Sequence, residues 1–384
     1  MLATKLHALF LPLVLLIHNL RYRRFDWRIY LMMALLGPPV YVLVQPILWH
    51  HPIATTLDRL AGLGGMVESG PIPLYYLGEV HYGDTPWHYP LVMTLVTFPL
   101  PILALLALAA GAGLRRWWGR AARYATTTAA GGDAEARPSI SPPAYSGVAI
   151  AAAIEARRRR LSETPRSEWV FTFLVSAAVS FGIVLLPKAQ AYDGLRLILP
   201  GVVSLVLLSS LGFSRLVAWS VVRVGWLPWR YLSRVPAVLL FALLLPGAFS
   251  TLARHPWQLS HYNLLGAAVG LDQFETAYWC EGLSRAAAAD LNRRLKQDAT
   301  LWVVAGSWDQ IRYYQEQGWL RRDILLPPEA QPPFDYHLLQ VRQGMFQRLG
   351  WELYRHGKRV AEYGPPGRPV YILYGSLEEA LRGS

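Results

Sequence analysis

The stretch YYLGEVHYGDTPWHYPLVMTLVTFPLPILALLALAAGAG, residues 75–113, sets a knot of aromatic, acidic and imidazole side chains directly against an apolar run long enough to cross a bilayer. A spanning helix needs about 20 mostly apolar residues, because hydrocarbon offers no partner to an unpaired backbone donor. Working outward from this run, the pattern repeats. Residues 30–48, 91–113, 169–186, 195–213 and 235–251 qualify, and residues 6–17 form a shorter run. That short run lacks a small-residue cleavage site and is followed by Arg21, Arg23 and Arg24, so it reads as part of a sixth helix, not a signal peptide.

Composition agrees with lipid contact. Of 384 residues, 53% are hydrophobic and only 16% charged, with 15 Trp and 20 Tyr to sit at headgroup depth. The single Cys280 excludes an internal disulfide framework and a cysteine-built metal site. A net charge of +12 would suit a nucleic-acid binder, but its placement argues against one. Arg21, Arg23, Arg24 and Arg28 lie between the first two runs. Arg115, Arg116, Arg120, Arg123 and the block 157–160 lie between the third and fourth, and Arg215, Arg223, Arg230 and Arg234 between the fifth and sixth. Alternate loops carry the positive charge, as in a multi-spanning membrane protein with those loops in the cytoplasm. Parity then puts residues 49–89, residues 187–194 and everything after residue 251 outside.

The expected fold is therefore mainly α: a polytopic membrane helix bundle of about six helices over residues 1–251, with a small C-terminal α/β extracytoplasmic domain over residues 252–384. In the cytoplasmic link, residues 126–147 are rich in Ala, Thr, Gly, Ser and Pro and read as a flexible linker. Residues 148–161 read as a short helix whose cationic end attracts anionic lipid. In the cap, GLSRAAAADLNRRLKQ and WDQIRYYQEQG read as helices. ATLWVVAGS, DILLPP, FDYHLLQVRQG and RPVYILYG are short apolar runs between them, which predicts a partly parallel sheet. No glycine-rich nucleotide loop and no serine nucleophile elbow occurs in it.

Three constellations carry candidate chemistry. Glu79, His81, Asp84 and His88 fall within ten residues of an external loop, a density that suits acid–base work or capture of a divalent metal. Tyr75, Tyr76, Tyr82, Trp87 and Tyr89 around them equally suit an interfacial aromatic belt with ordinary surface polar groups. His50 and His51 are adjacent and point apart, and no third ligand has a defined spacing. In LLPKAQAYDGLRLILPG, Lys188 and Arg196 bracket Asp193 at the lip of the following helix. A cation so near hydrocarbon either snorkels to headgroups, with Asp193 neutralising Arg196, or meets a bound anion such as phosphate.

TKLHALFLPL, QPILWHHP, residues 75–103 and KAQAYDGLRLILPG, in that order and separated by basic loops, resemble the later membrane helices of bacterial glycosyltransferase family 39, in the GT-C superfamily. Pro86, Trp87, His88 and Tyr89 resemble the family's Pro-Trp-Tyr-Tyr pattern, and residues 192–200 its Asp-Gly-x-Arg helix start. HPWQLSHYN and TAYWCEGL resemble elements of a bacterial subgroup, so the likeness spans residues 2–282. The resemblance implies transfer of a sugar from a polyprenyl-phosphate-linked donor to a lipid, glycan or protein acceptor on the extracytoplasmic face of the bacterial inner membrane. It makes Lys188 and Arg196 candidates to hold the donor phosphate beside Asp193. Trp87, His88 and Tyr89 become candidates to line the sugar site, with Glu79 or Asp84 bonding sugar hydroxyls. The resemblance makes no cofactor certain, and a divalent metal stays open. The family's catalytic acidic residue lies in an earlier loop than any present here, so the chain corresponds to the C-terminal portion of such an enzyme. The other reading is a non-catalytic membrane subunit or lipid-binding scaffold.

Overall fold

The computed structural model describes residues 11–44, 49–51, 53–55, 57, 72–83, 85–129, 166–185, 193–278 and 281–382. In chain order the principal elements begin with α1 (Leu11–Tyr22), α2 (Trp27–Leu43), β1 (Pro73–Tyr76), β2 (Glu79–Tyr82), α3 (Tyr89–Thr97), α4 (Leu100–Ala129), α5 (Arg166–Val184), α6 (Leu199–Arg223) and α7 (Val235–Ala253). They continue with α8 (Arg285–Arg294), β3 (Leu301–Val304), α9 (Trp308–Glu316), β4 (Tyr336–Gln340), α10 (Arg348–His356), β5 (Arg359–Tyr363) and β6 (Tyr371–Tyr374). The chain divides into two compact units: residues 1–65, 98–185 and 198–248 form one, and residues 66–97, 186–197 and 249–384 form the other.

The first unit is helical. Three stretches among the described residues are long and apolar enough to cross a membrane: Ser167–Val184, Arg196–Arg223 and Trp229–Ala253. A fourth is counted if Tyr89–Thr97 and Leu100–Arg115 are taken as one broken span. The expected number of about six is therefore not reached among these residues. The run at 91–113 is interrupted at Phe98 and Pro99, where proline supplies no amide donor. The run at 30–48 yields α2, only 17 residues long with Pro38 and Pro39 inside it. Of the expected linker, residues 126–129 continue α4; residues 130–147 and the cationic helix at 148–161 lie outside the described residues.

Helix pairs in this unit meet through small residues, as lipid-embedded helices do when no hydrophobic force draws them together. Gly212 of α6 lies against the backbone of Leu105 in α4, and Gly201 against Ser180 and Phe181 of α5. Polar contacts tie the same pairs: Ser204 Oγ donates to Ser176 Oγ at 2.9 Å, and Arg215 Nη1 to the Ala109 carbonyl at 2.7 Å. Arg24 pairs with the buried Glu168 at 3.0 Å, and His18 lies 2.7 Å from Thr172 Oγ1, joining α1 to α5. Many apolar side chains of α7 face outward, including Leu240, Phe241, Leu244 and Phe249. That surface is compatible with a membrane protein.

The second unit holds a four-stranded sheet in the order β3-β4-β6-β5, with β3 and β4 parallel and the other neighbours antiparallel. Alternate residues feed two cores. Leu338, Tyr371 and Leu373 pack with Leu291, Leu301 and Ile311, whereas Leu339, Ile372 and Tyr374 pack with Phe346 and Leu353. Burial on both faces explains why β6 reads as a continuous apolar run without alternation. Ser284 caps α8 by accepting the Ala287 N–H. Strand β5, which its sequence does not announce, is a charged edge whose Arg359 and Glu362 pair with each other at 2.7 Å.

Candidate functional site

The aromatic knot is not an open loop. Pro73–Tyr76 and Glu79–Tyr82 form an antiparallel hairpin whose two-residue turn, Leu77 and Gly78, has φ of +51° and +85° at its two positions. That combination matches the twist of the strands and is strained at the leucine. The hairpin is fastened from the C-terminal side of the chain. Tyr75 donates its hydroxyl to the Asp272 carbonyl at 3.0 Å and its ring meets Trp351, while the Gly78 amide donates to the Gln273 carbonyl.

Of the residues grouped by sequence, this geometry leaves Glu79 and Trp87 at the surface and brings His81 and His88 both against the Tyr76 ring. Glu79 is exposed and Trp87 is 67% exposed, so neither enters an enclosed site. His88 points its Nδ1 at the Tyr76 hydroxyl, 2.8 Å away. Asp84 and Lys188 lie outside the described residues. Among those that are described, no group of three or more His, Cys, Asp or Glu is arranged to hold a metal ion.

Tyr89, Asp193 and Arg196, by contrast, are brought together. Asp193 and Gly194 both take left-handed backbone angles, φ +53° and +63°, which folds the chain tightly before the Arg196–Ile198 turn of helix. The Gly194 amide donates to the buried Tyr89 hydroxyl at 3.0 Å. Asp193 Oδ2 accepts from Arg196 Nη1 at 2.8 Å, and its Oδ1 faces Arg342 Nη2 at 3.6 Å. Replacing Tyr89 with phenylalanine leaves that amide without its partner. The expected cost is about 1 kcal/mol, read as a lowered thermal unfolding midpoint. An unchanged midpoint removes Tyr89 from its role in holding the turn.

Arg342 was not foreseen. It follows β4 by two residues and is 10% exposed at the side chain, with its Nε 3.8 Å from Glu275 Oε1. Among the described residues, neither Arg342 Nε nor Asp193 Oδ1 has a hydrogen-bond partner. A guanidinium thus stands between two buried carboxylates, near enough for charge attraction and too far for hydrogen bonding. Glu275 Oε1 is occupied otherwise, accepting the Gly344 amide at 3.1 Å. Burial is the main force pushing the Glu275 carboxyl up to about 8; the Asp193 charge adds to this, and Arg342 and the Gly344 and Tyr75 amides oppose it. Around its backbone, Tyr262 Oη and Arg368 Nη2 donate to the Glu275 carbonyl, and Tyr262 Oη lies 3.1 Å from Tyr278 Oη.

Further on, Glu281 is pushed up to about 7, chiefly by burial, with the Tyr278 and Ser260 amides and Arg368 opposing. Two buried acids whose carboxyls hold their protons above the usual carboxylate range, beside buried arginines, are the kind of grouping that marks functional sites. The available sequence signals were slight: an arginine closing the largely apolar strand run at 336–341, and a glutamate beside Phe274. Comparison with protein-family models, curated proteins and solved structures gives no match.

Proposed function

We propose that this chain is a membrane-embedded sugar transferase, or a part of one, that takes its sugar from a polyprenyl-phosphate-linked donor at the extracytoplasmic face. The observation carrying this reading is the meeting of two motif blocks 105 positions apart, through the Tyr89 hydroxyl and the Gly194 amide. That contact sets an aromatic wall beside a turn where Asp193 lies between Arg196 and Arg342. Two guanidinium groups around one carboxylate leave positive charge over, which is what a leaving phosphate needs as its own charge develops.

Sidedness is supported by Arg24 and Glu168, from two segments that the charge pattern assigns to the cytoplasm and which pair directly. The acceptor would be a lipid, glycan or protein, and the membrane a bacterial inner membrane, as the family resemblance implies. In this reading residues 252–384 are the extracytoplasmic α/β domain.

The test is transfer of radiolabelled sugar from polyprenyl-phosphate donors by membranes carrying the chain. Arg196→Ala is expected to lower donor use at least about tenfold, the loss of one charge-assisted hydrogen bond to phosphate. Unchanged kinetics would remove Arg196 from the site. The second reading, a lipid-phosphate-binding scaffold, is favoured by the engagement of the two acids nearest Arg342, Asp193 by Arg196 and Glu275 by the Gly344 amide, which draws both away from activating an acceptor. Donor binding without transfer by correctly inserted protein supports that second reading.

A further inference from the structure

Arg342 is the cation of the cluster that its described neighbours hold without a close side-chain hydrogen bond. It is nine-tenths buried, its Nε has no hydrogen-bond partner among the described residues, and the carboxylate oxygens it faces stand at 3.6 and 3.8 Å. Burying a guanidinium is costly unless its donors are used, and its planar fork matches two oxygens of a phosphate. Both facing acids are drawn elsewhere: Asp193 Oδ2 toward Arg196, and Glu275 Oε1 toward the Gly344 amide.

We propose that Arg342 is a ligand for the phosphate of a lipid-linked phosphodiester, and that a proton on Glu275 is what leaves the guanidinium available for it. The identity of the phosphate rests on the transferase reading; the dependence on Glu275 does not. Charge arithmetic drives the inference. With Glu275 neutral, Asp193 stands against Arg196 and Arg342, and a singly charged diester completes the balance. With Glu275 ionised, Asp193 and Glu275 already balance Arg196 and Arg342, the third guanidinium, Arg368, standing against Glu281, and a diester adds an uncompensated buried charge.

The groups that face Glu275 come from every side of the cluster. They are Arg342 after β4, Asp193 before α6, Tyr89 at the start of α3, Tyr262 and Tyr278, and Arg368 on its carbonyl. Among them Arg342 favours the ionised form and Asp193 the neutral one, and burial outweighs both. The proton is consequently held through neutral pH and lost around pH 8.

The experiment is equilibrium binding of methyl farnesyl phosphate, a diester whose charge is constant across the range, to the full chain in nanodiscs with empty discs as blank. Between pH 7 and pH 9.5 wild-type affinity is expected to fall about thirtyfold, since each pH unit above the ionisation of Glu275 removes about tenfold of the competent form. Glu275→Gln keeps a carbonyl to accept the Gly344 and Tyr75 amides and is expected to bind at the neutral-pH affinity throughout. Should that variant fail to fold, Arg342→Lys serves instead: it keeps the charge, loses the fork, and is expected to bind more weakly below pH 8.

A pH-independent wild-type affinity, or a wild-type pH drop retained in Glu275→Gln, would overturn the proposal and leave the transferase reading standing. Equal affinity for dimethyl phosphate or for phosphatidylglycerol would overturn the assignment to a dedicated lipid-linked ligand. If the folded protein binds no diester at any pH, both the proposal and the transferase reading fail.

Discussion

Gly212→Val is expected to force α4 and α6 apart. A Cβ at this position would overlap the Leu105 carbonyl oxygen and stand 2.7 Å from its carbonyl carbon and 2.9 Å from its Cα, all backbone atoms with no rotamer through which to yield. Overpacking of this kind costs about 3 kcal/mol or more when no side chain can move aside. The loss also reaches beyond the glycine, because Arg215, one turn later, donates to the Leu108 and Ala109 carbonyls and would be pulled from them. The control is Gly111→Ala in α4, where nothing lies within 4 Å of the new methyl group. That change is expected to be neutral or slightly stabilising through helix propensity. Unfolding in detergent with increasing denaturant reads both. Equal midpoints for Gly212→Val and wild type would mean that the two helices do not approach this closely.

Arg342→Ala is the second large effect, and it has a pH signature. Removing the guanidinium leaves Asp193 and Glu275 facing a site with no cation between them, a situation that costs about 3 to 5 kcal/mol when both are ionised. In the wild type Glu275 is held neutral in the folded chain well above its ordinary 4.5, so raising the pH favours the unfolded chain, in which it ionises freely. Its contribution to stability is complete below about pH 4.5 and is lost progressively up to about 8. Arg342 is the largest influence favouring the ionised form, so without it the carboxyl stays neutral to higher pH and the loss extends further into alkaline pH. The destabilisation by Arg342→Ala should accordingly be larger at pH 9 than at pH 6, measured as the difference in unfolding midpoint from wild type at each pH. A pH-independent difference would show that Glu275 does not sense Arg342.

The two buried acids also show where sequence reasoning reached its limit. Glu79, His81 and His88 are close in sequence, yet Glu79 is exposed while His81 and His88 both lie against the Tyr76 ring, and these described residues form no metal-holding group. Glu275 and Arg342 are 67 positions apart and share no pattern. They meet only because β4 ends beside the segment that fastens the hairpin, where the Gly344 amide and Glu275 Oε1 are bonded. Asp193 and Arg196 were legible as a pair because they are three positions apart at the lip of an apolar helix.

The sequence by itself determined the apolar helices, the alternation of basic loops and a mixed α/β segment at the C-terminal side. These follow from the period of hydrophobicity and from the cost of unpaired backbone in hydrocarbon, both properties of short stretches. Tertiary structure decided the rest. It broke the run at Phe98, made the aromatic knot a hairpin, and placed Arg342 within reach of Asp193 and Glu275. The physical reason is that burial sets the charge on a carboxylate, and burial depends on which distant segments close over it.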